Sequence, residues 1–180
     1  MKDIDSTDDM RTATSLRAIG FWTAPSPQLE RPDLGPNDPY VRFLAERHEA
    51  EAHSGRPFLP DPRRLIGILG VHSYDGRVPA YLTQGARAAQ YFGVAVCRCC
   101  GATLGSSDLT DGTWVWPEGL EHYLQAHGLP LPGPFVNTIE QNRYQVPLAA
   151  RGLVDVGRFG QYDFDFWHEW AASVYGPDAP

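Results

Sequence analysis

Four residues constrain this chain more tightly than any others: Cys97, Cys100, His122 and His127. Cys97-Arg98-Cys99-Cys100-Gly101 contains a C-x-x-C-G turn. At that spacing two thiolates point at one ion while the backbone amides of the turn face the sulfurs, and the glycine relieves the tight bend. Such a knuckle supplies half of a tetrahedral zinc site. His122 and His127 read H-x4-H, which matches the spacing of the histidine half. On a regular helix, a five-residue step sets the two rings about 140° apart. One ion can therefore reach both only if the last turn is loosened. Gly128 follows His127 directly, where helices commonly unwind. These four residues are the candidate ligands of one structural zinc.

The order of knuckle, hairpin and helix over residues 97–128 resembles a ββα unit wrapped around an ion. The spacing departs from that of a DNA-reading finger. Twenty-one residues separate Cys100 from His122, against about a dozen in such a finger. Cys97 to Pro132 also carries one Arg against four acids, so no basic helix is available to enter a groove. Two plainer readings stay open. Buried free cysteine behaves as a small hydrophobe, and His122 beside Tyr123 can be a core histidine. C-x-x-C can also be a redox pair, although such pairs open a helix after a strand, and here Gly101 and a polar loop follow.

The 180-residue length fits a single domain. A chain of this size buries a core without disulfides, and its three cysteines, within four positions, cannot form the disulfide framework of a secreted domain. They suit a cytoplasmic metal or thiol role. No apolar run approaches the roughly 18 residues of a membrane span, and MKDIDSTDDM has no apolar signal region. The net charge of −7 disfavours general nucleic-acid binding and suits a basic protein partner. The acidity lies towards the ends. Residues 61–96 hold four Arg against two Asp, whereas 97–180 hold four Arg against ten acids.

The element pattern predicts an α+β fold: a small single domain of one β-hairpin and short helices. Residues 1–35 read as a flexible or wrapping arm, polar over 1–12, with Pro-rich chain over 23–39. Residues 36–180 read as the globular part. A helix opens at Pro39 behind Asn37 or Asp38, and Asp61-Pro62 caps a short one through Leu65, Ile66 and Leu69. Another spans Val78 to Gln84 before Gly85. Tyr91–Cys97 (YFGVAVC) reads as a buried strand. Ser107–Thr110 and Thr113–Trp116 flank Asp111-Gly112, a strong two-residue hairpin signal. Pro117 opens a helix that ends near His127, and a modest helix follows over Phe135–Gln141. Tyr162, Phe164 and Phe166 alternate like a strand. Asp163 or Asp165 then caps an aromatic C-terminal helix, and the tail unit spans 162–176.

The residues CRCCG, followed by SSDLTDGTWVWPEGLEHYLQAHGLPLP, resemble a widespread family of small uncharacterised bacterial proteins. Its pattern is C-R-x-C-G, then T-D-G-x-W-V-W-P-E-G-L, H-Y, a later His and L-P. The resemblance covers roughly residues 58–136 and is densest between Cys97 and Pro132. It implies a shared fold unit and carries no activity with it. Cys99 falls in the variable slot, a third thiol that the zinc reading does not use.

Other residues offer chemistry. Trp114, Trp116 and Trp22 can form a ligand platform, or Trp114 and Trp116 can be core residues alternating on one strand face. Glu118 can be a general acid or base, or a first-turn acid favoured by the helix dipole. Arg98 can anchor an acidic group or stack on a Trp. Asp163, Asp165 and His168 can form a polar group at the tail, or be cap and surface residues. Cys99 can pair with His72 or His168 as a nucleophile. Phosphate-loop, dinucleotide and G-x-S-x-G motifs are absent. The reading that fits best is a non-enzymatic cytoplasmic binding module stabilised by zinc, of the immunity or antitoxin type, covering a basic protein. An enzyme with its site near Trp116–Gly119 and Cys97–Cys100, and a nucleic-acid-binding zinc module, are the alternatives.

Overall fold

Trp114-Val115-Trp116 offers water no polar side chain, so a strand built on it has to be covered on both faces. In the computed structural model, which describes residues 15–23, 33–52, 59–152 and 162–176, this run forms β4 (Trp114–Pro117). The other strands are β1 (Leu16–Ala18), β2 (Ala86–Gln90), β3 (Ser107–Thr110) and β5 (Tyr162–Asp163). They form one mixed sheet in the order β2-β3-β4-β1-β5, so β4 is central. β2, β3 and β4 run antiparallel in sequence, whereas β1 lies parallel to both β4 and β5. Trp114, Val115 and Trp116 are each at most 1% exposed.

Six helices accompany the sheet among the described residues: α1 (Pro39–Ala52), α2 (Pro62–Leu69), α3 (Arg77–Thr83), α4 (Leu120–His127), α5 (Gly133–Gln141) and α6 (Asp165–Tyr175). The fold is α+β. Side-chain alternation along β4 divides its burial. Trp114 and Trp116 enter the main core with Tyr81, Leu120, Tyr123, Phe135 and Trp167, whereas Val115 joins Leu16, Ala18 and Ala88 in a smaller cluster. The caps follow the local chemistry. Asp61 accepts the Arg63 amide at 2.8 Å with Pro62 behind it, as the sequence predicts.

Several expectations are corrected. Residues 1–35 are not all arm. Leu16–Ala18 is an inner strand, and Ile19 and Trp22 lie in the core. The polar segment 1–12 lies outside the described residues. The buried strand is not Tyr91–Cys97 but the preceding Ala86–Gln90. Its alanines carry a weak strand signal, but they are small enough to fit a crowded layer. A Cβ on the adjacent Gly85 would sit 2.7 Å from Leu109 and 2.9 Å from Trp116. After Tyr91 the chain leaves the sheet, and Phe92 and Val94 are exposed. Residues 91–96 instead pair with 103–106 as a projecting arm, through Ala95 N–H to Gly105 O (2.8 Å) and Leu104 N–H to Ala95 O (2.9 Å).

The hairpin forms, but with a wider turn than Asp-Gly predicts. Thr110 is opposite Val115, so residues 111–114 span the reversal, and only Gly112 takes positive φ there (92°). Asp111 turns its carboxylate inward instead. One oxygen accepts the Thr113 and Trp114 amides at 2.9 and 2.7 Å, and the other accepts the Tyr81 hydroxyl at 2.8 Å. The helix predicted to open at Pro117 begins at Leu120, because Pro117 completes β4 and Gly119 turns the chain with φ 91°. Phe164 and Phe166 do not continue a strand. β5 ends at Asp163, whose carboxylate accepts the Asp165 amide at 2.9 Å and starts α6.

Because Asp111 serves three donors in a site 4% exposed, Asp111→Ala leaves buried donors unsatisfied. The expected loss of unfolding free energy is about 3 kcal/mol, measured by urea denaturation at neutral pH.

Candidate metal centre

The knuckle is held by its own backbone. The Gly101 amide donates to the Cys97 carbonyl at 2.9 Å and the Cys97 amide donates to Ala102 O at 2.8 Å. Gly101 takes φ 75°, which favours glycine. Opposite lies α4, whose buried face is Leu120, Tyr123 and Leu124. That face docks on the core and leaves His122 and His127 half-buried beside the knuckle. The last turn of α4 is widened. The Gly128 amide is shared between the Leu124 and Tyr123 carbonyls, and the Leu129 amide reaches back to Tyr123 O at 3.0 Å. Gly128 is left-handed at φ 62°, and a Cβ there would meet Val71 at 2.3 Å. The two rings lie 5.2 Å apart between centroids.

The structure gathers Cys97, Cys100, His122 and His127 into one cluster. One ligand atom from each lies within 4.8 Å of all the others. Cys97 Sγ is 3.4 Å from His127 Nε2, and Cys100 Sγ is 3.3 Å from His122 Nε2. The four residues can hold a metal ion. Their setting is asymmetric, with Cys97 buried and Cys100 exposed.

Cys97 Sγ has further contacts. It faces the amides of Cys99 (3.4 Å) and Cys100. Burial pushes the Cys97 thiol up, and the two amides oppose that shift. The Tyr123 hydroxyl accepts the Arg98 amide at 2.8 Å. Sequence reasoning missed this link. A tyrosine next to a ligand histidine reads as core, and nothing local shows where its hydroxyl ends.

The remaining candidates separate cleanly. Trp114 and Trp116 form no surface platform. Trp114 Nε1 donates to Thr138 Oγ1 and Trp116 Nε1 donates to Leu82 O, both from within the core. Trp22 is 9% exposed and packs on Tyr123 and Trp167. Glu118 is not in the first turn of α4. Its carboxylate accepts the Ser106 and Ser107 amides at 2.9 and 3.2 Å, pinning the arm to the hairpin. Arg98 stacks on no tryptophan among these contacts. Its guanidinium donates to Thr23 O and Val96 O at 3.0 and 2.8 Å, joining the knuckle to the end of the β1 segment.

Cys99 is half-buried, and burial pushes its thiol up to about 12. Asp61 and Arg63 are its charged neighbours, and the sequence-proposed histidines are engaged elsewhere. His72 lies against Tyr74 at 4.4 Å, and His168 stacks on Phe164 at 5.8 Å. A protonated, half-buried thiol is a poor nucleophile. The tail group does not form a metal cluster among the described residues.

A cavity of about 560 Å³ lies between the arm and the sheet. Phe21, Trp22, Tyr91, Arg98, Asp108 and Glu118 contribute to its wall. Asp108 is 3% exposed, accepts the Tyr91 hydroxyl at 2.5 Å and also hydrogen-bonds Tyr162. Burial raises its carboxyl above the usual range. It was missed in the sequence because S-D-L-T looks like an ordinary surface strand. Compared with known proteins, the chain matches no family model, no curated protein and no solved structure.

Two outcomes follow from these placements. Arg98→Ala removes two buried-end hydrogen bonds but no ligand, so stability should fall by about 1–3 kcal/mol with metal content unchanged, read by denaturation and elemental analysis. His168 has its Nε2 buried without a hydrogen-bond partner among the described residues, and burial lowers its pKa below the usual 6.5. The unfolded chain therefore takes up that proton more readily, and stability is lost as pH falls through about 6.5. His168→Phe should flatten that part of a Tm-versus-pH curve.

Proposed function

We infer that the protein is a zinc-stabilised binding module in which one ion closes the knuckle onto α4. The observation that carries this is the four-ligand cluster itself. In a tetrahedral Cys2His2 site, with zinc–sulfur near 2.3 Å and zinc–nitrogen near 2.0–2.1 Å, each sulfur–nitrogen edge is about 3.6 Å. The two close sulfur–nitrogen pairs, at 3.4 and 3.3 Å, are near that edge. Two thiolates and two imidazoles are the borderline-soft donor set that zinc favours. Four protein ligands leave no open position for substrate, which favours a structural ion over a catalytic one.

A binding role is supported by the cavity of about 560 Å³ beneath the arm, whose wall includes Phe21, Trp22 and Tyr91. The net charge of −7 favours a basic protein as the partner, and an immunity or antitoxin-type role is one form of that reading. The enzymatic alternative draws on Glu118 and Cys99. The Glu118 carboxylate is taken by two backbone amides, and the Cys99 thiol is held protonated.

The test is elemental mass spectrometry on untagged protein purified without chelator, beside a Cys97→Ser, Cys100→Ser double variant. About one zinc per chain is expected, and the variant should lose both the ion and thermal stability, because a structural zinc contributes on the order of 10 kcal/mol. Metal-free protein whose Tm matches that of the variant overturns the reading. Recovery of no basic protein in a pull-down with the zinc-loaded chain overturns the partner assignment alone.

A further inference from the structure

The two sulfurs of the centre differ in access. Cys100 is exposed, whereas Cys97 is 0% exposed. They lie within 4.8 Å of each other on a single turn closed by the Gly101 amide. A disulfide needs about 2.05 Å between sulfurs, so a bridge asks for adjustment within that turn and none in the sheet. Each sulfur that enters the bridge gives up its imidazole, Cys97 from His127 and Cys100 from His122. Cys99 packs its side chain against the core, and a bridge to the adjacent Cys100 would have to distort the planar peptide between them; its thiol lies close to Cys97, so a Cys97–Cys99 bridge is the competing product.

We propose that Cys97 and Cys100 are an oxidisable pair for hydrogen peroxide, and that their conversion to a disulfide opens the centre and releases its ion. The exposed Cys100 thiolate attacks one peroxide oxygen. The O–O bond breaks, hydroxide departs, and Cys100 becomes a sulfenic acid. The Cys97 thiolate then attacks the Cys100 sulfur and expels the second hydroxide. Two protons from solvent convert both hydroxides to water. The sulfurs lose two electrons and the peroxide gains them. A disulfide is a poor zinc ligand, since thiolates are what bind the ion, and His122 and His127 alone hold half a site. The Arg98 amide on the Tyr123 hydroxyl stays intact, so the knuckle remains tethered to α4 while its metal end opens. Ion release rests on the zinc reading; formation of the bridge does not.

The experiment treats the full-length, reduced protein with hydrogen peroxide, after its zinc content has been measured. Zinc release is followed with a chromogenic chelator, and the products are mapped by intact mass and peptide mass spectrometry. Cys99→Ser and chelator-stripped wild type are treated alongside. One equivalent of zinc should leave as each chain loses two hydrogens. The cross-link should map to Cys97–Cys100 in all three samples, and dithiothreitol with added zinc should restore the starting state. Retention of zinc with both thiols still alkylatable, at peroxide doses that fully oxidise glutathione, overturns the proposal. So does a bridge to Cys99, or stepwise oxidation of Cys100 to sulfinic acid without a bridge. If the starting protein holds no zinc, the zinc reading falls, and the mass map of the same sample still decides the bridge.

Discussion

The paired contact of two sulfurs with two imidazoles joins parts of the chain that have little to hold them in place alone. α4 has eight residues, well short of the roughly 12–15 at which an isolated helix becomes marginal in water. The knuckle is a turn with one bridge, Val96 to Thr103, behind it. Each acquires its position from the other and from the core below. Cys97 meets His127 and Cys100 meets His122, so the two elements are fixed at both ends of their contact and cannot pivot about a single point.

Tyr123 couples that contact to the core. Its ring is 2% exposed and packs on Trp22, while its hydroxyl accepts the Arg98 amide of the knuckle. Trp22 extends from the β1 segment, and β1 is an inner strand of the sheet. A path of packed groups therefore runs from the sheet centre through Trp22 and Tyr123 to the metal ligands. The Arg98 guanidinium runs beside it to Thr23 O. The ligand that most depends on this path is Cys97, which is also the buried one.

The acids drawn in against this sheet are answered by partners. Asp111 serves the hairpin turn and Tyr81, Asp108 serves Tyr91 and Tyr162, and Glu118 serves two amides of the arm. A buried carboxylate left unpaired would cost several kcal/mol, which explains why three acids are tolerated close to the sheet. It also explains why Glu118, which the sequence offers as a general acid or base, serves as a structural clamp. The arm over residues 91–96 offers Phe92 and Val94 to solvent, and Val71 and Leu148 are exposed elsewhere.

Short-range chemistry was readable from the sequence. The ligand spacings of Cys97-x-x-Cys100 and His122-x4-His127, the Asp61 cap, the glycine stop at Gly128 and the alternation that buries Trp114 and Trp116 each depend on residues a few positions apart, where backbone geometry and sequence periodicity carry the information. What depended on distant chain was not readable. β1 is an inner strand of the sheet because Arg17 and Ala18 pair with Trp114 and Val115, nearly a hundred residues away. The alanine-rich β2 is a strand because it pairs antiparallel with β3, some twenty residues further along the chain. Asp111 abandons the predicted two-residue turn because Tyr81, thirty residues earlier, offers its hydroxyl. Glu118 belongs to the arm and not to the helix for the same reason, with its partners at Ser106 and Ser107. The sequence by itself determined which four side chains are able to share an ion. Tertiary packing decided that they meet, because only the docking of Tyr123 and Leu124 into a core built partly from residues 16–22 sets α4 against the knuckle.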